Sequence, residues 1–313
     1  MKATLIYNPM AGRFPSLPLV ERAANLLETN GWEIEIARTA GGEDITDLAR
    51  RAVEGQKEAI FVAGGDGSIH RAAAGLMGSQ TALGVLPAGT ANVWAQELGL
   101  PGLSWTNWTA LENSVKKLLN GSIRTMDLGT CQGKPFLLWT GIGFDAFVVH
   151  HLEPRSRLQK QFALPQYAAN VAWFARNWSG MKLEIIVNEQ KISGTFILAL
   201  VTNVHLYAGG IAEISPSARI DDQQMDLWLF SGETLAETLQ HVWAVVTGSL
   251  ARSNQVESYP CENIRIRSDQ ELYLQLDGEP LPPTKTIRID IQPKSLQVIV
   301  PETLPRPLFS EGS

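Results

Sequence analysis

Residues 59–76, AIFVAGGDGSIHRAAAGL, pass from an apolar run through three glycines grouped around one aspartate into a helical pattern. A strand, a glycine loop and a helix in that order form the basic unit of a parallel sheet, and the unit recurs along the first third of the chain. Apolar runs at 4–7, 32–37, 59–63 and 82–86 predict strands. Helical periodicity at 17–29 and 43–54 falls between them, the first closed by Asn30-Gly31, and a further helix is predicted over 107–119, closed by Asn120-Gly121. Such alternation restricts this half to an α/β arrangement with a mostly parallel sheet and helices on both faces.

The pattern then changes. MKLEIIVNEQKISGTFILALVTN reads as a hairpin around Asn188–Gln190, and ENIRIRSDQELYLQLDGEP and TKTIRIDIQPKSLQVIV alternate with period two, as antiparallel strands do. Helical insertions are predicted near 158–177 and 235–250, and the Pro-rich stretch after Pro301 reads as irregular. With 313 residues the chain has room for two cores. The division expected is 1–124 as an α/β domain, 125–301 as a mainly β domain, and 302–313 as a tail.

Charge and hydropathy remove several classes. A net charge of −6 disfavours a general nucleic-acid binder, whose phosphate contacts need a basic surface. No apolar run approaches the roughly 20 residues that cross a bilayer, and MKATLIYNPMAG has no signal-peptide core, so a cytoplasmic protein is expected. Cys131 and Cys261 have no His or Cys at ligand spacing and read as core thiols. One segment stands out locally: Arg155, Arg157, Lys160, Arg176 and Lys182 interleave with Phe162, Tyr167, Trp173, Phe174 and Trp178, with no acid between Arg155 and Lys182. It reads either as a partly buried helix with a solvated face or as an element facing an anionic membrane.

Three loops end three of the predicted strands: YNPMAGR (Tyr7–Arg13), GGDGSIHR (Gly64–Arg71) and LPAGTANVWAQ (Leu86–Gln96). Ligands of open parallel sheets bind outside these strand ends. Glycine there lets backbone N–H groups close on phosphate oxygens, a helix N-terminus adds partial positive charge, and Ser68 and Thr90 can donate hydroxyl hydrogen bonds. Each loop alone is also an ordinary βα turn; three together describe a polyphosphate cradle. GxGxxG after the first strand, GxxxxGK[ST] and the kinase catalytic-loop triplet are all absent.

These motifs, with GIGFDA (Gly141–Ala146), LYAGG (Leu206–Gly210) and LDGEP (Leu276–Pro280), resemble in order and spacing the diacylglycerol kinase catalytic family, which includes bacterial soluble lipid kinases and sphingosine kinases. The resemblance spans nearly the whole chain. A Gly-Gly-Asp-Gly loop alone is shared with NAD kinases and phosphofructokinases; the ordered set is specific. It implies an NAD kinase/phosphofructokinase-like α/β domain, a mainly antiparallel β-sandwich domain and a ligand cleft between them. It further implies an ATP- and Mg²⁺-dependent kinase that phosphorylates a lipid hydroxyl, diacylglycerol-like or sphingoid-like. ATP contacts would fall on Asn8, Pro9, Met10, Ala11, Gly12, Thr39, Gly64, Gly65, Asp66, Gly67, Ser68, Arg71, Gly89, Thr90 and Asn92. Asp66 would orient the Mg²⁺-bound phosphates, through water or directly.

In the second half the resemblance makes Glu279 the acceptor of the hydroxyl proton and Asp277 a supporting acid; without it, the Asp-Gly-Glu-Pro turn would read as a hairpin with two solvated acids. It also implies a structural Mg²⁺ held by the Asp222 side chain and the carbonyls of Arg219 and Gln224. Two positions depart from the family. Gln223 replaces the glycine of the metal turn, and Val93 follows Asn92 where diacylglycerol-type members carry an Asp. Sphingosine kinases also lack that acid. The partners expected are a lipid substrate and an anionic membrane surface met peripherally at the inner face, with a homodimer as the alternative to a monomer and no nucleic acid. The rival readings are an NAD-kinase-like small-molecule kinase and a catalytically silent nucleotide or lipid sensor. The five histidines are scattered, and His70, His150 and His151 read as structural.

Overall fold

The computed structural model describes residues 1–9, 17–39, 44–152, 178–234, 236–237, 240–241 and 255–310. The chain forms two compact units, Met1–Leu128 with Pro293–Ser313, and Gly129–Gln292. Among the described residues no helix is long and apolar enough to cross a membrane.

In the first unit the expected βα series is present. Strands β1 (Lys2–Tyr7), β2 (Glu33–Arg38), β3 (Ala59–Gly64) and β4 (Ala82–Pro87) alternate with helices α1 (Leu17–Thr29), α2 (Asp44–Glu54) and α3 (Asp66–Leu76). All pairings are parallel, in the order β4-β3-β1-β2. Every residue of β3 and β4 is buried, as strands covered on both faces must be, which explains their unbroken apolar sequences. The order reverses direction between β1 and β3: the chain steps outward one way to β2 and the other way to β4. In open parallel sheets, ligands bind outside the strand ends at such a reversal.

Two short features differ from the expected pattern. Helix α4 (Val93–Glu97) follows the third loop directly, and α5 (Ala110–Leu119) starts later than position 107 because Ser104 and Asn107 form an isolated bridge that closes a turn. Residues 301–310 have no helix or strand, yet Leu308 is buried and the Arg124 guanidinium lies 4.5 Å from the centre of the Phe309 ring. Returning chain also pairs Val298 with Leu83 of β4, so this stretch belongs to the first core.

Gly129–Gln292 is antiparallel. The end of β5 (Ser122–Cys131) makes a short hairpin with β6 (Lys134–Phe136). Strands β7 (Trp139–Gly143), β8 (Met181–Val187), β9 (Gln190–Thr202) and, later in the chain, β14 (Asn263–Leu276) form a closed ring: β9 and β14 each pair with β8 over one half and with β7 over the other. Closure removes the free edges that an open hairpin would expose. The two-residue strands β10 (Leu206–Tyr207) and β11 (Ala212–Glu213) pair with each other. Strands β12 (Met225–Ser231) and β13 (Val256–Cys261) extend the ring beside β9, and β15 (Glu279–Val300) pairs with β14. Strand β8 buries every second residue, its Met181, Leu183, Ile185 and Val187 joining Ile142, Phe196, Val201, Ile264 and Leu274 in the core. The expected hairpin is a two-residue loop, Val187 pairing with Gln190 around Asn188 (φ 46) and Glu189 (φ 69). Cys131 and Cys261 are free and buried, and burial pushes each thiol pKa up to about 12, as befits core thiols.

Candidate active site

Asn8, one residue past the end of β1, donates from Nδ2 to Ser68 Oγ at 3.1 Å, joining the first and second loops. The second and third loops meet backbone to backbone. A Cβ on Gly89 would collide with the Gly65 Cα and would lie 2.6 Å from Asn92 Oδ1, and a Cβ on Gly64 would lie 2.6 Å from the Ser68 Cβ. These glycines are therefore fixed by close approach and not by turn geometry. Asn92 holds the third loop closed. It sits in the left-handed region at φ 53, accepts the Gly89 N–H at 2.9 Å and donates back to the Gly89 carbonyl at 3.0 Å.

Asp66 is the first residue of α3, where the helix dipole favours a carboxylate. Its Oδ1 accepts the Trp94 N–H at 3.3 Å, a donor in the first turn of α4 that Asn92 does not cap. One carboxylate thus ties the starts of two helices together. Val93 is 1% exposed, so position 93 is packed and an apolar residue suits it. Thr39 follows β2 with 3% of its surface exposed, and its Oγ1 has no hydrogen-bond partner among the described residues. Thr90 is exposed at the third loop, and Arg71 is half-buried on α3, its carbonyl accepting the Thr46 hydroxyl at 2.9 Å. Pro9 is half-buried just past β1, and Gly67 is half-buried in the first turn of α3. Met10, Ala11 and Gly12 lie outside the described residues.

An orphan hydroxyl, glycine backbones pressed together and two helix starts fit a phosphate-bearing ligand at these strand ends. Among the described residues no group of three or more Asp, Glu, His or Cys is placed to hold a metal. A divalent ion here would keep most of its ligands from phosphates and water, with Asp66 as the protein's oxygen donor.

In Gly129–Gln292 three motifs far apart in sequence converge. The Asp277-Gly278 turn joins β14 to β15, with Leu276 paired to Glu279 and both central residues at positive φ, 47 and 87. This is the hairpin turn that Asp-Gly favours, and it places Glu279 first on β15. The Asp277 carboxylate accepts three backbone N–H groups, from Leu137 at 2.7 Å and from Leu138 and Trp139 at 2.9 Å each. Gln275, which is fully buried, donates from Nε2 to Asp145 Oδ2 at 2.7 Å and accepts the Gly278 N–H at 2.7 Å. Asp145 lies in the first turn of helix α6 (Phe144–Leu152), and Tyr207 of the LYAGG segment also hydrogen-bonds to it. Burial raises the Asp145 pKa above the ordinary carboxylate value, against the opposing hydrogen bonds from Gln275 and Tyr207.

Gln275 carried no signal in the sequence. Its glutamine lies in an alternating strand and reads as any polar strand residue; only the cross-strand pairing shows that both ends of its amide are used. On α6, His150 Nε2 lies 3.1 Å from the Leu274 carbonyl and His151 Nδ1 lies 2.8 Å from the Phe147 carbonyl.

At the third candidate position Asp222 Oδ1 accepts the Gln224 N–H at 3.0 Å, and Gln223 adopts φ 65. A glutamine thus holds the left-handed conformation that glycine would take more easily. The Arg219 guanidinium donates to the carbonyls of Ser217 at 3.2 Å and Ala218 at 2.8 Å. The aromatic-basic segment 155–182 lies outside the described residues except for 178–182, where the Trp178 ring packs 5.1 Å from Phe147. The helix expected at 158–177 falls wholly outside them, and of the one expected at 235–250 only residues 236–237 and 240–241 are described, as helix.

Residues 2–131 match the diacylglycerol kinase catalytic domain, and residues 140–300 match the YegS C-terminal NAD kinase beta sandwich-like domain. The chain belongs to the diacylglycerol kinase catalytic family. Its first unit carries the α/β catalytic domain and Gly129–Gln292 the antiparallel β-sandwich. The diacylglycerol kinase of Bacillus subtilis is 25% identical over 280 residues, covering 89% of this chain and 89% of its own. Among solved structures, a diacylglycerol kinase from Bacillus anthracis superposes with a TM-score of 0.71 at 19% identity, covering 97% of this chain and 98% of its own. An NAD kinase from Archaeoglobus fulgidus in complex with ATP superposes at 0.53 and 12% identity, covering 96% and 94%. Both structures share the fold, in keeping with the NAD kinase-like expectation.

Proposed function

We propose that the protein is an ATP- and Mg²⁺-dependent lipid kinase that transfers the γ-phosphoryl group to a lipid hydroxyl, diacylglycerol-like or sphingoid-like. The observation that carries this reading is the division of labour at the Asp277–Glu279 turn, within a family whose relatives are named diacylglycerol kinase. Asp277 has its two oxygens committed to three amides, so proton acceptance falls to Glu279, two residues on. Phosphoryl transfer needs little covalent chemistry from the protein beyond positioning, charge stabilisation and that proton acceptor.

Asn8, Pro9, Thr39, Gly64 to Ser68, Arg71, Gly89, Thr90 and Asn92 serve the nucleotide at the strand ends, with Met10, Ala11 and Gly12 as further contacts in this reading. Asp66 would be the residue that holds Mg²⁺, which would supply neutralisation of the phosphate charge. Asp222 with the Arg219 and Gln224 carbonyls forms a second, structural ion site in this reading, away from the chemistry. The chain works at the inner face of the membrane from the cytoplasmic side, the aromatic-basic segment 155–182 meeting anionic headgroups.

ATP with Mg²⁺ is expected to raise the melting temperature, since it binds only the folded chain. Asp66→Asn keeps an oxygen for the Trp94 N–H but loses the charge, so it should shrink that rise with little change in the melting temperature of the free protein. Thermal shift against ATP concentration measures both. A wild-type protein with no shift at any accessible ATP concentration would remove the nucleotide from this reading.

A further inference from the structure

The hydrogen-bonded chain from Asp145 to the Glu279 turn has a fixed polarity. The Gln275 –NH₂ faces Asp145 and donates to its Oδ2, and the Gln275 side-chain oxygen is turned to the Gly278 N–H, at 2.7 Å on each side. Gly278 is the second residue of the turn and bonds covalently to Glu279. Space at the start of this chain is fully used: a Cβ on Gly141 would collide with Asp145 Oδ2 and would lie 2.7 Å from Gln275 Nε2, which accounts for the first glycine of GIGFDA. The neighbouring strand is tied as well, the Thr140 hydroxyl donating to the Gln275 backbone carbonyl at 2.8 Å.

We propose that Asp145 and Gln275 are positioning residues, a polarity-locked pair that fixes the Asp277-Gly278 turn and so aims the Glu279 carboxylate at the acceptor hydroxyl. This rests on the reading of Glu279 as the proton acceptor. A buried amide free to flip would turn its –NH₂ toward the Gly278 N–H in half its states, donor against donor, and the turn would lose its side-chain anchor at that residue. The Asp145 oxygen that accepts from Nε2 at 2.7 Å disfavours the flip. Titratable groups around the pair are the Tyr207 phenol, bonded to Asp145; His150 on the same helix, turned to the Leu274 carbonyl; Tyr273 on β14, 5.2 Å from the His150 ring; and Asp277, held by the 137–139 amides.

The test exchanges the two side-chain chemistries. Gln275→Glu alone sets two carboxyl groups against each other, which can be accommodated only while they share a proton. Asp145→Asn combined with Gln275→Glu reverses donor and acceptor but restores a legal chain: the new amide at position 145 would donate to the new carboxylate at position 275, which would still accept the Gly278 N–H. Turnover is read as lipid-borne label from γ-labelled ATP with Mg²⁺ and a total lipid extract in mixed micelles, below the melting temperature of every variant. Relative to wild type, the Gln275→Glu rate should fall by about tenfold or more from pH 6 to pH 9, and the double variant should recover most of it and lose the added pH dependence. A Gln275→Glu rate that tracks wild type across that range, or a double variant no better than the single, overturns the positioning pair. Should Glu279→Gln turn over normally in the same assay, the proton-acceptor reading falls and the pair's proposed role falls with it. An inactive Glu279→Gln beside an unaffected Gln275→Glu overturns only the pair.

Discussion

Glu279→Gln is expected to lower kcat by about 10²-fold or more while nucleotide affinity and melting temperature stay near wild type. The substitution keeps the size and shape of the side chain and removes only its basicity. Glu279 begins β15 directly after the turn, and its backbone pairing with Leu276 does not depend on the side chain, so the strand should form unchanged. Steady-state turnover, ATP titration and thermal melting on the purified variant separate the effects. A lowered kcat with an equally lowered melting temperature would point to damage and not to chemistry.

Asp277→Asn should act in the opposite way. Asparagine tolerates φ 47 as aspartate does, so the Asp-Gly turn itself is preserved and the variant isolates the carboxylate. An amide offers one acceptor oxygen where three N–H donors converge, and its –NH₂ would face at least one of them. Leaving buried donors unsatisfied costs about 1–3 kcal/mol each, so a loss of roughly 3 kcal/mol or more is expected. For a unit of this size that corresponds to a fall of about 6–12 °C in melting temperature. A melting temperature within about 2 °C of wild type would show that the three amides find other partners and that Asp277 does not hold the 137–139 segment.

Why some of this was legible in the sequence, and some not, follows from the range of the interactions. Strand ends at Tyr7, Ala63 and Leu86 could be read, each within one residue of the observed end, because period, glycine and chain order are local signals, and the loops they launch carry nearly all of the proposed cradle. The Asp277-Gly278 turn was legible for the same reason: Asp-Gly between alternating strands marks a two-residue hairpin. What holds these pieces together is non-local. Nothing near Asp66 in sequence shows that it takes up the Trp94 N–H, 28 residues on, and nothing near Gln275 shows that it bonds Asp145, 130 residues earlier. The return of 293–310 to the first unit likewise depends on pairing with β4 and on burial of Leu308, not on any pattern in the Pro-rich stretch. Glu279 and Asp277 show the limit of motif reading most clearly: neighbouring acids of one turn were both legible as acids, and only the hydrogen bonds from Leu137, Leu138 and Trp139 show that Asp277 is an anchor.

Transfer of label from the γ-position of ATP to a lipid is the most direct measure of the central claim. Protein, γ-labelled ATP and Mg²⁺ are incubated with a total lipid extract in mixed micelles, and the organic and aqueous phases are separated and counted. The account predicts label in the organic phase, on a phosphorylated lipid, dependent on Mg²⁺ and lost in both Asp66→Asn and Glu279→Gln. Label recovered only on a water-soluble acceptor would contradict it and favour a small-molecule kinase; no transfer to any acceptor, with ATP still bound, would contradict it in favour of a nucleotide sensor.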